Sequence, residues 1–437
     1  MNTQSVKEVE RRTIKKTMWR LLPFILLLYI IAYLDRVNLG YAALEMNADL
    51  ALSAEVFGLL SGIFFIGYFL FEVPSNMLLH KVGARFWIAR IMITWGLVVV
   101  LTGFAQSAMH LYILRFLLGI AEAGFFPGIV LYLTYWFRKR ELAIATSALV
   151  LALPLGGVIA GPLSTWIMDN IHWGGLAGWR WMFILEGIPA VLLGIVVLYY
   201  LTNRPKEAKW LTKEERDWLE GELDRERIES SKVHQTSKLA MLKESKVWKL
   251  SFIYLMNYTA MYGLSFWLPS IIQSLSENAT TNLEIGWLAM LPPLIGVPSI
   301  LLFGWNASRT SSHKKHVIVS FAIAAAGYTA CGLATSSAMM VFLMCLTAVG
   351  LYGFAGVFIA YMTFFFTEST APVGIALVNS IASLGGFFGP VIFGYLTVQM
   401  GMFTLALFAV LAIVVLVTLK QYTKKGNPES NPAQSIS

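Results

Sequence analysis

The chain has 437 residues, 57% of them hydrophobic and 13% charged. A soluble domain carries about 25% charged residues, so the composition excludes one and points to an all-α polytopic membrane protein. The formal net charge is +8, but the basic residues gather in particular loops, so they are topological signals and no nucleic-acid partner is expected. The two cysteines, Cys331 and Cys345, lie in apolar segments and provide neither a disulfide framework nor a metal cluster.

In chain order, residues 1–20 form a basic tail without a small-residue cleavage site, so the first apolar run is a retained span and not a signal peptide. A bilayer crossing needs about 17–25 residues. Twelve such segments follow, near 21–42, 54–79, 86–107, 110–136, 141–168, 180–203, 248–273, 284–306, 315–336, 339–364, 370–399 and 401–420. Lys7, Arg11, Arg12, Lys15, Lys16 and Arg20 precede the first. Lys81, Arg85 and Arg90 mark the 2–3 loop, "RKRE" the 4–5 loop, Arg309, Lys314 and Lys315 the 8–9 loop, and Lys420, Lys424 and Lys425 the tail. The alternate loops near 43–53, 105–109, 274–284 and 335–338 carry no Lys or Arg. Both termini are therefore expected in the cytoplasm, in a plasma-membrane protein.

Between spans 6 and 7 the chain turns densely charged, from Arg204 to Lys246. Thr212 with Glu215 forms a capping box, which predicts a short helix there. The plain reading is a solvated cytoplasmic linker. The expected organisation is an N-terminal half at 21–203, a linker at 204–247, a C-terminal half at 248–420 and a tail at 421–437. "GVIAGP" from Gly157 in span 5 recurs as "GGFFGP" from Gly385 in span 11, an offset of 228 residues. Six spans duplicated in parallel is a layout of secondary transporters, with a site between the halves.

The charged residues inside the spans are strongly asymmetric between the halves. Spans 1 and 4 hold Asp35, Arg36, Arg115 and Glu122, and the repeat partners are Gly263, Leu264, Leu343 and Gly350. Each charge at a bilayer centre costs roughly 2.5–3.5 kcal/mol on insertion scales, which makes function the first reading. Arg115 and Glu122 lie on one helix face about 10 Å apart, and Asp35 and Arg36 project about 100° apart. Asn38 returns to the Asp35 side. If spans 1 and 4 face each other, these residues form a mixed cluster. A buried carboxylate can take up and release a proton, and an arginine can grip a substrate carboxylate with two parallel hydrogen bonds. The competing reading is a set of salt bridges that lock helices together. Glu72 in "FEVPSN" is read as a packing or gating contact, and Glu186 in "ILEGIP" as structural. Tyr33 and Tyr68 either face a cavity or pack. The second half offers neutral polarity through Asn257, Tyr258, Tyr262, Trp267, Tyr361, Asn379 and Ser383.

Five blocks, "YLDRVNLG", "GYFLFEVPSNMLLHKVGARFWIARIMITWG", "LRFLLGIAEAGFFPGIVLYLTYWF", "GWRWMFILEGIPA" and "GIALVNSIASLGGFFGP", resemble the anion:cation symporter family of the major facilitator superfamily across all twelve spans. The resemblance implies proton-coupled import of an organic anion such as galactonate, tartrate, phthalate, nicotinate or 4-hydroxyphenylacetate. It implies Asp35 and Glu122 as proton carriers, Arg36 and Arg115 as residues of substrate binding and coupling, and Tyr33, Tyr68 and Asn379 as substrate contacts. His80, Lys81 and Arg85 fall on the superfamily's gating loop. The chain departs from the family at His80 and Ser308, where an acid that helps hold the outward-facing state is common, and at Ile359 and Met362 in span 10, where Trp and Pro are common.

The sequence therefore predicts a proton-coupled carboxylate importer, with the proton as coupling ion, no cofactor and no enzyme chemistry. Its expected partners are a small organic anion and the lipid bilayer, and it is expected to be monomeric. Exchange or export of an organic anion is the alternative. A transporter-like nutrient sensor is disfavoured by the short tails and modest linker. A glycosylation sequon at Asn278 is read as chance.

Overall fold

The computed structural model describes residues 3–231, 241, 243–276, 280–366 and 370–419. The sequon at Asn278 and the basic tail residues Lys420, Lys424 and Lys425 lie outside them.

The described residues form long helices. The first half contains α1 (Thr3–Asp49), α2 (Ala54–Val82), α3 (Ala84–Thr102), α4 (Ala108–Glu122), α5 (Phe125–Leu133), α6 (Lys139–Val150), α7 (Ala152–Asn170) and α8 (Gly178–Tyr200). A charged helix, α9 (Lys213–Ser231), follows. The second half contains α10 (Ser245–Ser274), α11 (Asn282–Ala289), α12 (Leu291–Thr310), α13 (His313–Cys331), α14 (Ser337–Met362), α15 (Ala371–Ser383), α16 (Gly385–Tyr395) and α17 (Val398–Thr418). Pairs α4–α5, α6–α7, α11–α12 and α15–α16 are each one span with an internal break, so twelve spans result. Ten are long and apolar enough to cross a bilayer by composition. The other two, α10 and α13, begin with Lys246 and Lys249 and with Lys314 and Lys315, and both bury apolar residues along their length.

The break in span 4 has a specific cause. Ala123 leaves the helical region at ψ 130°, and Gly124 adopts φ +84°. A Cβ at Gly124 would lie 2.5 Å from Ser75 Oγ of α2, so both the backbone conformation and the close approach require glycine.

The duplication read in the sequence recurs in three dimensions. Shifted by 228 residues, α2 (Ala54–Val82) falls on α11–α12 (Asn282–Thr310). Helix α3 packs on α8 as α13 packs on α17, and α1 packs on α7 as α10 packs on α16. The halves meet through α2 against α16, α7 against α11, and α1 against α10. On the side remote from the N-terminus this seam is sealed by backbone contact. A Cβ at Gly58 would lie 2.8 Å from Pro390 O, one at Gly40 2.8 Å from Phe266 O, and one at Gly161 2.5 Å from Gly286 O. Hydrogen bonds close the same end: Asn282 Nδ2 donates to Glu45 Oε1 at 2.8 Å, and the Leu283 N–H to Asp169 Oδ2 at 2.8 Å.

The start of the linker is not free in solvent. The capping box forms as expected, with the Thr212 N–H on Glu215 Oε2 at 2.8 Å and the Glu215 N–H on Thr212 Oγ1 at 3.2 Å. Glu215 also accepts from Arg12 at 3.0 Å and Lys16 at 3.1 Å, both on the N-terminal extension of α1. Trp210 stacks on Trp136 with centroids 5.4 Å apart. Arg138 pairs with Glu10 and Glu141, each at 2.7 Å. Helix α9 is thus docked on the first half. Burial opposes ionisation of Glu215, but its hydrogen bonds from Thr212 and Lys16 and the charge of Arg12 outweigh it and hold the carboxyl below the usual carboxylate range. A lowered value in the docked state means that this contribution is complete above the free value of about 4.3 and is lost as pH falls through the lowered one. Glu215→Ala is expected to weaken docking by about 1.4 kcal/mol, within the range for a lost cap and ion pairs whose cationic partners, Arg12 and Lys16, are exposed. Limited proteolysis within 204–231 should then accelerate about tenfold, and an unchanged rate would refute the docking role.

Candidate functional site

Asp35 and Arg36 are neighbours on α1, and the rotation of about 100° per residue sends them to different places. The expected single cluster is two clusters.

Arg36 points at the seam. Its Nη2 donates to Glu122 Oε1 and its Nη1 donates to the Tyr262 hydroxyl at 2.9 Å. Glu122 is the last residue of α4, held in mid-span by the break at Gly124. Tyr262 belongs to α10 in the other half, so the guanidinium joins the two halves. The rings of Phe64 and Tyr68 lie 5.3 and 5.6 Å from its Cζ, within cation–π range. Its Nε is buried without a hydrogen-bond partner.

Asp35 points into the first half. Its Oδ2 accepts from Trp95 Nε1 at 2.8 Å, and its Oδ1 is buried without a partner. Arg115 of α4 interacts with it electrostatically, and Arg115 Nε and Nη2 make no hydrogen bond. One turn along α1, Asn38 Nδ2 donates to Glu186 Oε2 at 3.0 Å, and Ser164 Oγ donates to Glu186 Oε1 at 2.6 Å. Of the four charged residues, Arg36 and Glu122 form an ion pair, Asp35 and Arg115 interact electrostatically without one, and Glu186 lies on the Asp35 side through Asn38.

The remaining site residues are divided as well. Tyr68 lies beside Arg36. Tyr33 instead lines a cavity of about 30 Å³ at the seam with Ser265 and Tyr352, room for about two waters. Asn379 Oδ1 accepts from the Tyr258 hydroxyl at 3.2 Å within the second half. Its neighbour Ser380 donates to Glu72 Oε2 at 2.6 Å across the seam, so Glu72 is a contact between halves. At the α2–α3 turn Lys81 is exposed and Arg85 half-buried, with the Arg85 N–H on Asn203 Oδ1 at 3.0 Å. The side chain of His80 lies outside the described ones. Ser308 is exposed and bonds back to Gly304 O of its own helix at 2.8 Å. Ile359 is half-buried and Met362 buried.

Sequence reasoning missed the pairing of Arg36 with Tyr262, which are 226 residues apart. It also missed Trp95 and Ser164, which read as ordinary span residues. A signal existed for Glu186, a carboxyl in an apolar span.

A buried arginine bridging the two halves, with a carboxylate on one side and a neutral hydroxyl on the other, is suited to reversible anion binding. A carboxylate ligand can replace Glu122 or Tyr262 on the same donors. No nucleophile–base pair is part of this arrangement.

Comparison with known proteins follows the same line. Residues 25–281 and 250–436 match the family described as "Major Facilitator Superfamily". A protein of Agrobacterium vitis named "Putative tartrate transporter" is 44% identical over 94% of this chain and 90% of its own length. An Acinetobacter baumannii "Quinolone resistance transporter" is 34% identical over 98% of each chain. The solved structure of the xylose transporter XylE from E. coli, in a partially occluded inward open conformation, superposes with a TM-score of 0.75 at 13% identity, covering 92% of this chain and 98% of that one. With its twelve spans in two related halves, this chain belongs to the Major Facilitator Superfamily, a family of membrane transporters and not of enzymes.

Proposed function

We propose that this protein is a secondary active transporter that imports an organic carboxylate anion, a sugar, hydroxy or aromatic acid, by proton symport across the plasma membrane. The observation that carries the reading is Arg36, held at once by Glu122 of the first half and Tyr262 of the second. Protonation of Glu122 frees one arm of the guanidinium, and the substrate carboxylate takes it. Proton and substrate then favour the same state, so each raises the affinity for the other. Tyr68 walls the Arg36 site, Tyr33 of the first half lines the approach at the seam cavity, and Asn379 contributes from the second half. Asp35 is the second proton carrier, and Arg115, buried beside it, serves coupling. Alternating access follows from rocking the halves about this seam, with the sealed end outside and both termini in the cytoplasm. Lys81 and Arg85 with His80 belong to the cytoplasmic gate.

The relative named as a tartrate transporter makes tartrate the first probe. The relative named for quinolone resistance supports export as a second reading. The test is uptake of labelled tartrate and a panel of other carboxylates into proteoliposomes, with and without an inward proton gradient. Accumulation of one acid, lost on collapsing the gradient and in Asp35→Asn, is expected. Uptake that ignores the gradient and requires an anion on the other side would establish exchange. Net outward movement of quinolones would establish export.

A further inference from the structure

The middle of the first half buries three carboxyls, Asp35, Glu122 and Glu186, with two guanidiniums, Arg36 and Arg115. Arg36 is paired with Glu122, and Arg115 interacts with Asp35, so Glu186 is left without a cation of its own among the described residues. With all five groups ionised, the interior would hold one uncompensated negative charge, which a low-dielectric environment penalises heavily. Two neighbouring carboxyls relieve such a penalty by keeping one proton between them.

The surroundings of Glu186 suit a carboxyl that changes its protonation state. Among the described residues it makes no ion pair, and both oxygens accept from neutral groups, Ser164 Oγ at 2.6 Å and Asn38 Nδ2 at 3.0 Å. A hydroxyl can rotate and an amide can turn over, so each partner can become an acceptor. Asn38 Oδ1 is buried and unbonded, which leaves an acceptor ready for a protonated Glu186. Asp35 lies one turn from Asn38 on the same face of α1 and interacts electrostatically with Glu186. Its own Oδ1 is also unbonded. The other groups facing the pair are Tyr41 of α1, which interacts with Glu186, Arg115 of α4, Trp95 of α3 and Ser164 of α7.

The pair is also tied to the sealed end. Ser164 is followed on α7 by Thr165, and a Cβ at Gly286 of the other half would clash with Thr165 Oγ1. A change in the Glu186–Ser164 hydrogen bond therefore acts on the helix that closes the seam.

We propose that Glu186 is a further proton-carrying carboxyl, sharing one proton with Asp35 in the substrate-free protein and passing its protonation state to α7. This rests on the proton-symport reading and adds a carboxyl to it. The proton is taken from water on one side of the membrane and released to the other, with no other bond made or broken.

The test is infrared difference spectroscopy of the purified full chain in nanodiscs during a pH titration without substrate. A protonated-carboxyl band is expected near neutral pH, with one component that disappears in Glu186→Gln and the same component in Asp35→Asn. Glu72→Gln should leave that component in place. Loss in Glu186→Gln but not in Asp35→Asn would overturn the shared proton. A component unaffected by either variant, or absent from the wild type, would make both acids structural. Elution as a monodisperse peak checks the folding of each variant, and all bands are normalised to folded protein. The second arm is labelled tartrate uptake, in which Glu186→Gln should reduce the stimulation by an imposed pH gradient at least tenfold. If none of the carboxylate probes is transported, the symport reading fails, and the infrared component still decides whether the pair holds a proton.

Discussion

Arg36→Lys is expected to lower carboxylate uptake about a hundredfold. Lysine keeps the charge but replaces a planar fork with a point charge on a flexible stem. It cannot hold Glu122 and the Tyr262 hydroxyl together, as Nη2 and Nη1 of Arg36 do. Loss of about 3 kcal/mol from a buried charge-assisted pair corresponds to that factor. Arg36→Ala should be worse in a second respect. It leaves Glu122 buried beside no cation, at a cost of roughly 3–5 kcal/mol, and the melting temperature should fall. The double variant Arg36→Ala with Glu122→Gln should recover the stability and not the transport. Initial rates of labelled tartrate uptake and thermal melting separate the two effects. Uptake by Arg36→Lys at the wild-type rate would remove Arg36 from the substrate site.

Gly161→Leu is expected to open the sealed end and reduce transport at least tenfold without unfolding either half. A Cβ at Gly161 would sit 2.5 Å from Gly286 O, and the helices carrying these residues, α7 and α11, belong to different halves. An isobutyl group cannot fit at that distance, so the halves must separate there. Two of the three nearest atoms to that Cβ belong to Gly286 of the other half, and the third is the Tyr41 hydroxyl of the first half, at 3.2 Å, so the closest clash is across the seam. Gly286→Leu should act in the same way from the other side. Spin labels at the exposed positions Ala51 and Met400, in a background lacking Cys331 and Cys345, report the separation of the halves. The distance distribution should shift to longer values in both variants, with the melting temperature close to that of the parent. An unchanged distribution would mean that the glycine contact is not part of the gate.

The fold was legible because its determinants are local or periodic. Apolar stretches long enough for a bilayer are a property of consecutive residues, since hydrocarbon tolerates only backbone that satisfies its own hydrogen bonds. The repeat could be read from glycines 228 residues apart because close helix approach selects glycine in both halves. The Thr212–Glu215 box could be read because its partners are three residues apart. The breaks within four of the spans were harder to see. The one at Gly124 packs against Ser75 of α2, which is distant in sequence and leaves no room for a Cβ there.

The site was legible in part. The sequence by itself determined that Asp35, Arg36, Arg115 and Glu122 are the exceptional residues, because a charge in an apolar span is costly wherever it points. Helical geometry also required Asp35 and Arg36 to diverge. Only the tertiary structure decided the pairing: Arg36 with Glu122 and Tyr262, and Asp35 with Trp95 and, electrostatically, Arg115. It moved Tyr33 to the small cavity and drew Glu186 into the charged centre of the first half. The reason is physical. Burial cost is carried by each residue alone, whereas a hydrogen bond or ion pair depends on how two helices far apart in the chain are rotated and packed against each other.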